Sequence, residues 1–395
     1  MQEVEQFFRE QFGSPPSVFV QAPGRLELLG NHTDYNEGLV MSLAADKYIY
    51  IVSQRRNDGR IELASTAFEG RETFPFDRID KNPAAPWADY VKGVLVQLRE
   101  RGVRFTGFNA AIHGTIPLGA GMSSSAALEI ASALTVRRLF PFHLTETRAV
   151  MLARNGENAP AIDKQERMSL AKLCQTAESE FVGVNCGLLD QISSLYGKAS
   201  QVIQIDCRHL SIEHQPLPAG VAVVVCDSGV KHSLAAGDYN ALRRHCESAA
   251  RSLGVRALRS VTPEELRAKK NRLNERDYEC ACHVVGENQR VLFGERALRQ
   301  GDIRQFGQFL FQSHESSRDC FKNSCPELDM LVEIARSHPS CIGARLTGGG
   351  FGGATINLVE QSGVRDFQSS VAARYQESTG RKSDVWICQI VDGAE

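Results

Sequence analysis

No run of about 18 consecutive apolar residues occurs anywhere in the 395 positions of the chain, so no membrane-spanning helix is expected. Neither sign of charge dominates: 45 lysines and arginines stand against 47 aspartates and glutamates, and the isoelectric point is about 6.6. Without a basic excess there is no electrostatic case for nucleic acid or an anionic membrane as partner. No cysteine precedes Cys174, and the eleven from there to Cys388 are an odd, scattered set. That pattern points to free thiols in a reducing cytoplasm rather than to a disulfide framework. Only Cys280-x-Cys282-His283 approaches a metal-binding spacing, and it has no second pair. The opening residues are acidic and amphipathic, unlike a secretion signal. Internal repeats and low-complexity linkers are also missing, and the length allows two domains with sizeable cores.

What is present begins with residues 117–134, Pro-Leu-Gly-Ala-Gly-Met-Ser-Ser-Ser-Ala-Ala-Leu-Glu-Ile-Ala-Ser-Ala-Leu. Here a loop of small residues runs into a helix. Gly119 and Gly121 permit a tight turn and close approach to a ligand. Ser123, Ser124 and Ser125 place hydroxyls where the first helical N–H groups lack internal partners, a position that favours an anion. The segment holds no lysine, which sets it apart from the Gly-Lys-Ser/Thr phosphate loop. Ser124 stands where a dinucleotide fingerprint needs its third glycine, and no acidic residue follows about 20 positions on. A lysine-free phosphate cradle and an ordinary helix cap both remain open for this segment alone.

Two further stretches concentrate chemistry. Ala22 to Gly38 packs Asn31, His32, Asp34 and Asn36 between glycines, paired donors and acceptors that suit a polyol or, alternatively, a solvated turn. Cys174 to Gln191 carries Glu178 and Asp190. A carboxylate with a serine hydroxyl suits Mg²⁺ beside phosphate oxygens, and a second carboxylate can accept a proton from an attacking hydroxyl.

Apolar spacing predicts helices over 2–12, 87–101, 123–139, 145–153, 166–182, 187–196, 234–253, 275–299, 301–315 and 326–336. Strands are expected at 18–21, 39–44, 201–205, 221–227, 344–347 and 354–358. A hairpin of 47–54 with 60–63 is expected to turn at Asn57-Asp58-Gly59. The mixture is α+β rather than regular βαβ alternation, with a domain division expected at 204/205.

Together with Leu346-Thr-Gly-Gly-Gly-Phe-Gly-Gly-Ala354, these stretches resemble the signatures of the galactokinases, in the superfamily of galactose, homoserine, mevalonate and phosphomevalonate kinases. The similarity continues through Trp87–Gly93, Lys231–Leu234, Tyr239, Arg243–Cys246, His283–Glu287 and Ser324–Asp329, in order along nearly the whole chain. The resemblance implies a two-domain kinase with its active site in the cleft between domains. It implies ATP and galactose as substrates, Mg²⁺ as cofactor, a cytoplasmic location and a monomer. By similarity Gly119, Ala120, Gly121, Met122, Ser123, Ser124 and Ser125 wrap the ATP phosphates, with Ser125 and Glu178 on the metal. Asp190 matches the catalytic aspartate beside the anomeric hydroxyl, and Arg25 the arginine that neighbours it. Asn31, His32, Thr33, Asp34, Gly187 and Tyr239 match sugar-contacting positions. Thr347 to Gly353 matches a glycine-rich loop at the rear of the cleft.

One departure stands out. The family pattern has asparagine after Gly-Arg-Val and glutamate before His-Thr-Asp; this chain has Glu27 and Asn31 instead, an exchange over four residues that allows a local pairing and leaves galactose the first choice. Asn31 removes a negative charge, which leaves a C6-modified galactose such as galacturonate as an alternative substrate. A non-catalytic sugar- and ATP-binding regulator is the alternative from another class, although Arg25, Ser125, Glu178 and Asp190 are all present.

Overall fold

A computed structural model describes residues 2–152, 160–230 and 235–395. Lys231–Leu234 therefore lie outside the described residues. Helix α1 (Gln2–Phe12) buries Val4 and Phe8, one turn apart, against Val52 and Ala111. Strands β1 (Val18–Leu29) and β2 (Leu39–Arg55) form a long antiparallel pair. After them come β3 (Arg60–Ser65), β4 (Phe68–Pro75), α2 (Ala88–Glu100), β5 (Phe108–Gly114) and α3 (Ser124–Leu139). The chain continues through β6 (Phe142–Leu144), β7 (Ala149–Met151), α4 (Lys164–Thr176), α5 (Leu189–Tyr196), β8 (Gln201–Asp206) and β9 (Ser211–Pro216). A wider, π-type turn over Ala177–Val182 extends α4. The remainder is β10 (Val221–Asp227), α6 (Ala235–Leu253), α7 (Pro263–Ala268), α8 (Glu275–Arg299), α9 (Ile303–Ser316), α10 (Pro326–Arg336), β11 (Cys341–Thr347), β12 (Ala354–Glu360), α11 (Val364–Thr379) and β13 (Val385–Cys388).

A seven-stranded sheet runs β4-β3-β5-β2-β8-β9, with β1 also on β2. It shares a core with α2, α3, α4 and α5, where Ala126, Ala127, Ala131 and Ala133 let α3 lie close. A four-stranded sheet, β11-β12-β10-β13, packs one face on α10 and α11 and the other into the main core through Val223, Val225, Ile356 and Leu358. The first sheet continues across 204/205 to Pro216, because β8 pairs with both β2 and β9. Among the described residues no helix is long and apolar enough to cross a membrane. All eleven cysteines are free.

Three local expectations are corrected. Segments 39–44 and 47–54 are one unbroken strand. The hairpin expected between 47–54 and 60–63 does not form. Instead β5 lies between them, antiparallel to β2 and parallel to β3. Phe108, Ala110 and Ile112 are buried, which favours a central strand, and Gly107 leaves room for the backbone of Arg60. Where a helix was expected over 145–153, the described part forms the β6–β7 hairpin. A tertiary contact holds it: Glu166 Oε1 accepts from the Leu144 N–H at 2.9 Å.

Candidate active site

The site starts from two irregularities in the β1–β2 pairing, one with its extra residues on β2 opposite Pro23 and Gly24 and one at Leu28 of β1, which bracket Arg25 and Glu27. Such bulges bend a strand and re-aim its side chains. Gly24 packs against the Met122 carbonyl, which a Cβ would approach to 2.7 Å, and the Arg25 N–H donates to that oxygen at 3.1 Å. Arg25 is buried. Its Nε donates to Asp190 Oδ1 at 2.7 Å and its Nη1 to the Gly121 carbonyl at 2.5 Å. The second oxygen of Asp190, in the first turn of α5, accepts from Ser123 Oγ at 2.5 Å. One carboxylate thus ties β1 to the Gly-Ser loop.

Gly119 and Gly121 have φ of +83° and +65°, values that glycine adopts without strain. Ser123 stands at the N-cap position of α3 with φ +53°, but its hydroxyl bonds Asp190 and caps nothing. The segment is therefore not an ordinary capped turn: the first N–H groups of α3 are left available to a ligand. Ser125 lies near enough to Glu178 to favour its ionised form, so the two candidate metal ligands are neighbours. Glu178 Oε2 also accepts from Gln191 Nε2 at 2.9 Å and Cys186 Sγ at 3.2 Å. Burial first, and then the nearby charge of Asp190, push its carboxyl up to about 7.

The polar segment is anchored from α8. Glu287 Oε2 accepts from the N–H groups of Gly30 and Asn31 at 2.8 and 3.0 Å. Burial opposes its charge, yet Arg290 and other cations hold it at about 2. His32 contacts the Tyr35 hydroxyl at 2.8 Å and the Gly349 carbonyl at 3.1 Å, and burial lowers it to about 4, so it is neutral. Asp34 is pushed up to about 6 by burial and then by Asp190. The Tyr239 ring lies 4.9 Å from His32. A cavity of about 180 Å³ is lined by Arg25, Glu27, Asn31, His32, Asp34, Glu178, Asp190, Tyr239 and Gly348.

Two of the positions matched to sugar contacts, Thr33 and Gly187, are also tied to the polar segment itself. Thr33 Oγ1 donates to the Gly30 and Leu39 carbonyls at 2.8 and 2.6 Å, bracing the turn. Gly187 packs on Asp34, whose carboxylate a Cβ there would overlap.

Asn31 and Glu27 form a pair: Asn31 Nδ2 donates to the two Glu27 oxygens at 3.3 and 3.2 Å. The charge absent at position 31 is therefore retained next door. Behind Glu27, the fully buried Arg345 approaches Oε1 to 3.6 Å. Thr347 to Gly353 packs backbone to backbone on the Gly-Ser loop, since a Cβ at Gly121 would come 2.6 Å from the Thr347 carbonyl.

Sequence reasoning did not find a second cavity, of about 440 Å³, beside the Gly-Ser loop. Phe68, Trp87, Tyr90, Leu118 and Leu128 line it, with Ser124 and Ser125 at its edge. Phe68 and Trp87 stack with ring centroids 5.7 Å apart. The available signal was Trp87 and Tyr90, three residues apart and so on one helical face.

Residues 6–55 match the galactokinase galactose-binding signature, 89–165 the N-terminal domain of the GHMP kinases, and 295–377 their C-terminal domain. A galactokinase of Roseiflexus sp. is 40% identical over 99% of this chain and 96% of its own length. The human galactokinase is 39% identical over 100% of this chain and 95% of its own. Among solved structures, Lactococcus lactis galactokinase complexed with galactose superimposes with a TM-score of 0.90 at 30% identity, covering 100% of this chain and 99% of that one. Methanococcus jannaschii mevalonate kinase, at a TM-score of 0.62 and 17% identity over 95% of this chain and 98% of its own, shares the fold.

Proposed function

The chain belongs to the galactokinase family, and from that premise we propose how its own residues transfer a phosphoryl group from ATP to the anomeric hydroxyl of galactose. The observation that carries the assignment of roles is Asp190, held between Arg25 and Ser123 where the sugar cavity meets the Gly-Ser loop.

Asp190 orients the sugar hydroxyl and accepts its proton. A carboxylate is a weak base, but a loose phosphoryl-transfer transition state leaves little charge on the nucleophile until late. Strong basicity is therefore not required. Arg25 fixes the carboxylate and places positive charge beside it. Gly119 to Ser125 hold the triphosphate with backbone N–H groups and hydroxyls at the start of α3. The aromatic cavity of Phe68, Trp87 and Tyr90 receives the adenine, a flat ring suited to stacking. Asn31, His32, Asp34 and Tyr239 surround galactose.

Ser125 and Glu178 fit a magnesium ion: their hard oxygen donors are neighbours at the loop, and a carboxyl raised to about 7 gains from a cation beside it. When bound, Mg²⁺ would neutralise phosphate charge. Neutral His32 and the buried Glu287 keep the polar segment in place throughout. A coupled ADP-release assay with purified protein, ATP and galactose tests this reading. Galactose-dependent ADP release supports it, and its absence would point to the regulator alternative.

A further inference from the structure

Glu27 and Asn31 both border the sugar cavity, but they differ in what they have left to offer. A carboxamide has two donor hydrogens and two acceptor lone pairs. In Asn31, Nδ2 donates to Glu27 and to the Gly348 carbonyl, the latter at 2.9 Å. Its Oδ1 accepts from Asn323 Nδ2 at 3.0 Å and Ser317 Oγ at 3.5 Å. The amide orientation is fixed, because a carboxylate and a carbonyl both demand the nitrogen. Every position of Asn31 is therefore spent on the protein, where it braces the polar segment to the glycine-rich loop and to the chain beyond α9.

Glu27 is the reverse case. A carboxylate has about four acceptor sites. Asn31 reaches both of its oxygens, and Arg345 Nη1 stands 3.6 Å from Oε1. With Asn31 its one hydrogen-bond donor among the described residues, the carboxylate keeps acceptor capacity, and Glu27 lines the cavity. Arg345 has no exposure and holds the carboxylate from behind. Glu27 is two residues from Arg25 along β1, about 6.5 Å for an extended strand. It thus lies within one sugar ring of the reacting end without reaching the reacting hydroxyl.

We infer that Glu27, not Asn31, determines sugar specificity at this end of the cavity, by accepting a hydrogen bond from a galactose hydroxyl other than the one phosphorylated. The inference rests on the cavity being the galactose site. Burial lifts the Glu27 carboxyl to about 7 against the pull of Arg345 and Arg25. A donor from the sugar would offset part of that desolvation. An accepting carboxylate also removes the opening that Asn31 alone gave to an anionic sugar.

The test measures kcat/KM for galactose and for its 2-, 3-, 4- and 6-deoxy analogues, using wild type, Glu27→Gln and Glu27→Asp. In wild type, removal of one hydroxyl should lower kcat/KM by about 10- to 100-fold, the range for a hydrogen bond to a charged group. In Glu27→Gln the penalty for that one analogue should shrink by about tenfold, while the other ratios hold, since a neutral acceptor discriminates less. Glu27→Asp keeps the charge and should restore part of the penalty. Unchanged ratios in Glu27→Gln would overturn the inference, as would a wild type indifferent to every deoxygenation. If Glu27→Gln does not fold, Glu27→Asp decides: a shortened carboxylate that leaves all ratios as in wild type also overturns it. Failure of wild type to use galactose at all would instead strike the function itself.

Discussion

Replacing Arg25 by lysine tests the junction between the two halves of the site. The guanidinium makes two bonds at once, to Asp190 Oδ1 at 2.7 Å and to the Gly121 carbonyl at 2.5 Å. Lysine keeps the charge but ends in one ammonium and cannot follow both directions. It should stay with the carboxylate, the stronger partner, and abandon the carbonyl. Loss of one charge-assisted bond is worth about 1.5–3 kcal/mol, or about 10- to 100-fold in kcat/KM if the bond positions the transition state. Because the abandoned partner belongs to the Gly-Ser loop, KM for ATP should rise more than KM for galactose. Thermal stability should fall modestly, by about 1–2 kcal/mol, because the charge pair survives and only one buried acceptor loses its donor. Steady-state ADP release against each substrate, beside a thermal melt, measures all three. A lysine variant within about twofold of wild type for both substrates would refute the reasoning.

Gly187→Ala should raise KM for galactose by about 10-fold or more and leave KM for ATP unchanged, since the new methyl displaces the Asp34 carboxylate; steady-state kinetics would show it. Trp87→Ala should do the opposite, raising KM for ATP by about 10-fold through lost stacking in the aromatic cavity. Glu178→Gln should abolish Mg²⁺-dependent turnover yet stabilise the ligand-free protein. Its folded carboxyl lies near 7 against an ordinary 4.5, so the ionised form destabilises the fold, fully above about pH 7 and not at all below about pH 4.5. The gain, up to about 3 kcal/mol, should appear in melts at about pH 8 and vanish toward pH 4.5.

Much of the site was legible because its chemistry is local. The Gly-Ser loop, its helix and the polar segment are continuous in sequence, and Ser125 is a neighbour of Glu178. What sequence could not display is partnership at a distance. Ser123 looked like one phosphate hydroxyl among three, and its bond to Asp190 crosses 67 positions. Thr33 has a sugar-like hydroxyl, but two nearby carbonyls claim it. The four-residue spacing of Glu27 and Asn31 allowed a local pairing, which the structure supplies; what the sequence did not show is Arg345, 318 positions from Glu27, behind it. The same holds for the fold: Asn57-Asp58-Gly59 announces a turn, but nothing local announces that β5 will separate the strands it joins.

Turnover of Asp190→Ala, measured as galactose-dependent ADP release, tests the central claim most directly, with nucleotide binding followed in parallel by calorimetry. The account predicts that nucleotide still binds through the Gly-Ser loop and the aromatic cavity, while turnover falls by at least about 100-fold. Near-normal turnover of that variant would contradict it.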